Sequence, residues 1–113
     1  MAETSLELLK GTLDVLILKT LSRKPLHGYG ISRWLRDTTD DAFTVEEGAL
    51  YPALRRLERR GLVESEWGIT ETGREAKFYS LTRQGRKELE AGVRSWSRYA
   101  EAMSRVLLSP GGG

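Results

Sequence analysis

Toward the C-terminal end of the chain, Leu89, Val93, Trp96, Ala100, Met103 and Leu107 follow one another at alternating four- and three-residue steps without a break. That period places all six on one stripe of a long helix, in the pattern of a coiled-coil seam. A chain of 113 residues has enough apolar material for one core, and a small domain seldom covers both faces of a long terminal helix. The stripe therefore predicts a partner helix, supplied by a second copy of the same chain. The alternative, that it packs only on its own domain, stays open at this point. Thr82 stands where a cap for the first turn of this helix is needed.

Upstream, three shorter helices and a hairpin are predicted. From Leu6 to about Ser22, the residues Leu9, Leu13, Leu16, Ile17 and Leu21 recur at helical spacing, and Pro25 marks the end. After a short loop, Arg23 to Leu26, a second helix from about His27 to Thr39 aligns Ile31, Trp34 and Leu35. Thr44 and Glu47 have the spacing of a capping box, which starts a third helix there. Along that helix Leu50, Leu54 and Leu57 form the inner face, and Arg55, Arg56 and Arg59 project to the other side. Pro52 interrupts the pattern: either the helix kinks, or it begins near Tyr51. Gly61 is the natural stop. Leu62 to Trp67 then alternates with period two, Gly68 to Gly73 is turn-rich, and Glu75 to Leu81 brings Phe78 and Tyr79, so the pair is a hairpin.

Three helices, a hairpin and a long last helix make a fold that is mainly α with a small β-hairpin. It is the order of a winged helix-turn-helix followed by a long C-terminal dimerisation helix. The expected boundaries are 6–81 for the winged domain, 82–108 for the dimerisation helix and 109–113, Ser-Pro-Gly-Gly-Gly, for a disordered tail. Overall charge says little about partners, because 18 Lys+Arg against 16 Asp+Glu leave a net charge of +2. Its distribution says more. Arg55, Arg56, Arg59 and Arg60 cluster on the third helix with only Glu58 opposing them, where a winged helix-turn-helix meets the DNA backbone. Cations also suit any helix C-terminus, so the cluster by itself does not decide for DNA binding.

Enzyme readings fail on inspection. There is no cysteine, hence no disulfide framework, thiolate metal site or cysteine nucleophile, which fits a reducing compartment. His27 is the one histidine and completes neither a metal shell nor a triad; it is read as a structural or capping residue of the second helix. Gly28-Tyr29-Gly30 lacks the third glycine and the preceding strand of a dinucleotide loop. Asp40-Asp41 and Glu46-Glu47 are explained by a loop and a helix start. No catalytic residue, metal site or cofactor is expected. No apolar stretch reaches the length of a membrane span, and Met1 to Ser5 lack the order of a signal peptide, so a cytoplasmic protein is expected.

The residues that carry a family resemblance are Gly11-Thr12-Leu13 with Leu16 and Leu18, His27-Gly28-Tyr29, the run Gly48-Ala49-Leu50-Tyr51-Pro52-Ala53-Leu54, Leu57-Glu58, Gly61-Leu62, and Lys77-Phe78-Tyr79-Ser80-Leu81-Thr82 with Gly85. From about residue 8 to residue 107 the chain resembles the PadR family of bacterial regulators, in the compact form with one winged domain and a single long helix. The resemblance implies that the Leu-Tyr-Pro run lies inside the recognition helix, which favours a kinked or adjusted helix at Pro52. It further implies a homodimeric repressor binding a palindromic double-stranded DNA operator, with Tyr51 and basic wing residues on phosphates. Tyr51, Lys77 and Tyr79 match the family pattern. Phe78 stands where a second tyrosine is frequent, and Glu75 near a position often basic, so the wing is less cationic than usual, with Arg74 and Lys77 remaining.

The run Ser95-Trp96-Ser97-Arg98 resembles that of multidrug-responsive members, whose paired tryptophans hold planar ligands between subunits. Trp96 is thereby a candidate for binding a small planar aromatic effector. The plainer alternative is a large ring filling the dimer interface. Expected DNA-binding residues are Tyr51, Arg55, Arg56, Arg59, Arg74, Lys77 and Tyr79. Two other functions stay open at this point: a winged-helix module that uses the same surface for an acidic protein, and a DNA-binding regulator with no ligand.

Overall fold

The computed structural model of the chain describes residues 11–111. Leu6 to Lys10 of the predicted first helix, and Gly112 and Gly113 of the predicted tail, lie outside the described residues. Four helices and three short strands follow in the order α1 (Thr12–Leu21), β1 (Leu26–His27), α2 (Gly28–Thr38), α3 (Glu47–Arg59), β2 (Val63–Ile69), β3 (Glu75–Leu81) and α4 (Arg83–Leu107). Four helices on one small antiparallel sheet form the winged helix-turn-helix read from the sequence, and the long last helix is present.

The core is built from the inner faces of the helices and the hairpin, with Leu89 of α4 joining it. Ile17, Leu18 and Leu21 of α1 meet Ile31 and Leu35 of α2, Leu50, Ala53, Leu54 and Leu57 of α3, and Val63 and Tyr79 of the hairpin. Each of these apolar positions was spaced to share one side of its element, so periodicity alone located most of them. Trp34, expected in the core, is half-buried at its edge beneath the Arg23 guanidinium, 4.9 Å from the ring centre.

Helix boundaries depend on local hydrogen bonds. His27 caps α2, its Nδ1 accepting from the Gly30 N–H at 3.1 Å, the structural role assigned to it from sequence. Thr82 caps α4: its hydroxyl oxygen accepts from the Gly85 N–H at 2.9 Å and donates to the Gly61 carbonyl at 2.7 Å. By contrast, α3 begins later than the predicted Thr44 box implies. Its cap is Glu46, in extended conformation and without a side-chain cap bond, two residues later than expected. The helix then runs through Pro52, which disposes of a start near Tyr51. The lost bond from Pro52 belongs to the carbonyl of Gly48, an exposed residue whose carbonyl water can reach.

At the other end of α3, Gly61 takes φ +75°. The Gly61 N–H donates to the Glu58 carbonyl at 3.0 Å and the Leu62 N–H to the Leu57 carbonyl at 2.9 Å, a Schellman stop that needs the left-handed residue. The chain turns there directly into β2.

The sheet differs from the predicted hairpin in two respects. A third strand, β1, joins it in the order β1-β3-β2, pairing Leu26 with Tyr79 and His27 with Phe78. Two residues are too few to show a period, so Leu26 read as loop. And β2 continues past Trp67 through Gly68 to Ile69, in register with Ala76 and Glu75. Gly68 is a strand residue because the Phe78 ring lies over it: a Cβ there would stand 2.9 Å from that ring. The turn is correspondingly short and is closed by Thr70, whose hydroxyl accepts from the Arg74 N–H at 3.1 Å.

Only the first turns of α4 join the domain. Gly85 and Leu89 are buried, and Gly92 lies against Val15 of α1, with no room for a side chain. Beyond Gly92 the helix leaves the domain.

Candidate nucleic-acid interface

The three arginines of α3 and its C-cap Arg60 divide into two stripes, because residues four apart share a face and adjacent ones do not. Arg55 and Arg59 are exposed on one stripe. On the other, Arg56 reaches Asp14 of α1 at 3.0 Å and Arg60 reaches Glu88 of α4 at 3.5 Å. The sequence had placed Arg56 with Arg55 and Arg59; the structure instead turns it toward α1. Both pairs are about half exposed, so each contributes at most about 1 kcal/mol. Their effect is to orient α3 and to leave Arg55 and Arg59 as the cations on its outer side.

Behind these arginines the hairpin braces the helix. The Ser65 hydroxyl donates to the Glu58 carboxylate at 2.7 Å, and the Tyr79 ring inserts into the core with 5 % of its surface exposed. Tyr79 was expected to touch phosphate; its ring is buried in the core. The reason is register: Tyr79 sits opposite Ser65, on the side of the sheet that packs against α3. Burial raises its phenol pKa from 10.0, the Glu58 carboxylate and Tyr51 adding to the rise and Arg55 opposing it. Sequence reasoning missed the role of Ser65. The signal was available, since period two places Ser65 on the same side as buried Val63.

Tyr51 is half-buried on α3, its hydroxyl end seated on the backbone of Gly28, where a Cβ would collide with it. It thus locks α3 to the start of α2. Arg74 and Lys77 are exposed on the hairpin, Arg74 at the turn and Lys77 opposite Trp67. The structure therefore assembles Arg55 and Arg59 on α3 with Arg74 and Lys77 on the wing, pairs the exposed Arg56 with Asp14, and buries the Tyr79 ring in the core.

An exposed cationic helix third in order, braced by a three-stranded sheet whose hairpin projects beside it, defines the class of winged-helix DNA-binding proteins. The family model of the PadR-like transcriptional regulators matches residues 17–91, and the chain belongs to that family. It is thus a DNA-binding transcriptional regulator, of a family and fold that are not those of enzymes. It is 30% identical over 101 residues to an uncharacterised protein of Lysinibacillus sphaericus, covering 89% of this chain and 93% of the other. It is also 30% identical over 73 residues to the negative transcriptional regulator PadR of Bacillus subtilis, covering 65% of this chain but only 40% of that longer protein. Among solved structures, a transcriptional regulator from Clostridium thermocellum superposes with a TM-score of 0.79 at 30% identity, over 87% of this chain and 95% of that one. Among the described residues, no helix is long and apolar enough to cross a membrane.

Proposed function

We propose that the chain is a cytoplasmic homodimeric repressor. Two copies join along α4 and present their α3 helices to a palindromic double-stranded operator, Arg55 and Arg59 entering the major groove and Arg74 and Lys77 meeting phosphates. The observation that carries this reading is the outer half of α4. Leu89 is buried in its own domain, whereas Val93, Trp96, Met103 and Leu107 are 46, 50, 41 and 68 % exposed. They lie, with Ala100 among them, on one continuous stripe. Leaving so much apolar surface in water is unfavourable by about 25 cal/mol per Å², and a twofold-related α4 offers the matching stripe. A twofold axis also suits two recognition helices to a palindrome. Repression, as the direction of control, is supported by the Bacillus subtilis relative, a negative transcriptional regulator.

Release of the operator by a small planar aromatic effector belongs to the same proposal. Trp96 and Tyr99 stand 6.1 Å apart at an interplanar angle of 33°, a pair of half-exposed rings that supports stacking of a flat ligand at the dimer seam.

Sedimentation equilibrium combined with gel shift tests the reading. A dimer that retains DNA from its own upstream region at a salt concentration that frees an unrelated duplex of equal length is the expected result. A monomer, or equal loss of both duplexes, sinks it.

A further inference from the structure

The wing carries its own exposed apolar pair. Trp67 and Ile69 are 69 and 63 % exposed, lie two residues apart on β2, and so point to the same side of the hairpin. That side is the one that packs on α3: Val63 is buried in the core, Ser65 donates to Glu58, and opposite Ser65 stands buried Tyr79. Trp67 and Ile69 continue this face outward, past the end of the packed region, so they project on the side of the recognition helix. An aromatic residue on the opposite face of the hairpin shows the contrast. Phe78, on the opposite side, is covered by the His27 ring at 5.2 Å and by the backbone of Gly68. An uncovered indole on the α3 side needs a different occupant.

Charge selects the occupant. The register partner of Trp67 is Lys77, and exposed Arg74 stands at the turn, whereas the carboxylates of Glu64 and Glu66 alternate to the far side of β2. Glu75, opposite Ile69, and Glu71 in the turn are the acidic residues nearest the pair. An apolar ring beside a lysine, continuous with a cationic helix, fits the sugar and base surface of a groove bordered by phosphates. Apolar side chains inserted between base steps are an established means of gripping the minor groove.

We propose that Trp67, supported by Ile69, is an apolar contact of the wing with the minor groove of the operator, while Lys77 holds the phosphates at its rim. The inference rests on the DNA-facing placement of α3 proposed above. It makes the wing a reader of groove shape and step deformability, favouring duplexes that unstack readily beside the major-groove site, such as pyrimidine–purine steps.

The test starts from a duplex selected from a random-sequence pool by the wild-type protein. Its affinity is then measured at several salt concentrations for Trp67→Ala, Trp67→Phe, Lys77→Ala and Arg55→Ala. Trp67→Ala weakens binding about tenfold, the worth of a lost stacking contact, by the same factor at every salt concentration, because no phosphate charge is given up. Trp67→Phe recovers most of that loss. Lys77→Ala instead lowers the salt slope by about one. In the wild-type protein the selected duplex shields an indole from iodide quenching, a change missing in Trp67→Phe, which reads the contact without relying on the alanine variant. Wild-type affinity in Trp67→Ala overturns the proposal. If Arg55→Ala is then still weakened, only the wing contact fails; if it too is unchanged, the placement of α3 falls as well. A pool from which no duplex is enriched removes both. A Trp67→Ala protein that keeps its affinity and changes its oligomeric state assigns the ring to a protein contact instead.

Discussion

Asp14 of α1 holds the Arg56 guanidinium at 3.0 Å, so one of the three arginines that sequence periodicity assigned to the outer face of α3 is turned toward the body of the domain. Its neighbours Arg55 and Arg59 keep their exposure. Alanine at Arg55 or Arg59 is expected to weaken operator binding and to lower the salt slope by about one where the contact is to phosphate. Arg56→Ala is expected to lower it by less, because its charge is already compensated by Asp14. Salt-dependent gel shifts with the three variants decide the matter. An equal loss for Arg56→Ala would return it to the DNA face.

The contact between Gly28 and Tyr51 makes a stability prediction. A methyl group on Gly28 would occupy the space of the Tyr51 phenol, and overpacking of this kind costs about 1–3 kcal/mol. Gly28→Ala should lower the Tm accordingly. The combination Gly28→Ala with Tyr51→Ala should be less damaging than the sum of the two, since the second substitution empties the space the first requires. Additive losses would show that the two residues do not compete for the same space.

Thr82 and Gly85 tie α4 to the end of α3. Thr82→Ala removes both the cap and the bond to the Gly61 carbonyl, a loss of about 1–2 kcal/mol. Gly85→Ala should be more harmful. Its Cβ would press on the backbone carbonyl of Leu62, which cannot swing aside as a side chain can. Denaturant unfolding of the two variants gives the order; the reverse order would contradict the packing at this joint.

Alkaline stability should depend on Tyr79. Its phenol has a pKa raised above 10.0 in the folded protein, by burial first and by Glu58 second. Above pH 10.0 the unfolded chain therefore gives up its proton more readily than the folded one. The contribution is intact below the unfolded value and is lost as pH rises through the folded value. Tyr79→Phe should lose less stability than the wild type between pH 9 and 11, the other titrating groups being common to both. Parallel pH curves would remove Tyr79 from the alkaline transition.

Trp96→Glu should convert the proposed dimer to monomer, because two carboxylates would have to share an apolar seam. Sedimentation of the variant at matched concentration reads this directly. A stable dimer would move the interface away from the middle of α4.

The residues that fix local structure were legible because local physics specifies them. The apolar spacing of Ile17, Ile31, Leu50 and Leu54 named the inner faces. Gly61 marked the end of α3, Thr82 the start of α4 and His27 the cap of α2, since each of these acts within a few residues of itself. The start of α3 was misjudged by two residues because Thr44 and Glu47 carry the spacing of a capping box, whereas Glu46 is the N-cap. The apolar stripe from Val93 to Leu107 was equally visible as a helical period, and Val93, Trp96, Met103 and Leu107 are exposed on α4.

What the sequence determined by itself was the order of the four helices and the hairpin, the class of fold and the positions of the charges, all of which follow from periods of 3.6 and 2 and from residues that cap or break. Tertiary structure alone decided which charges face outward. Asp14 and Arg56 are 42 residues apart, and no local pattern announces that they will meet. The same holds for Tyr79, drawn into the core by a strand register, and for Leu26, made a strand residue by pairing with it. Long-range pairing selects among conformations that local preferences leave nearly equal in energy, so these assignments come into being only when the elements pack.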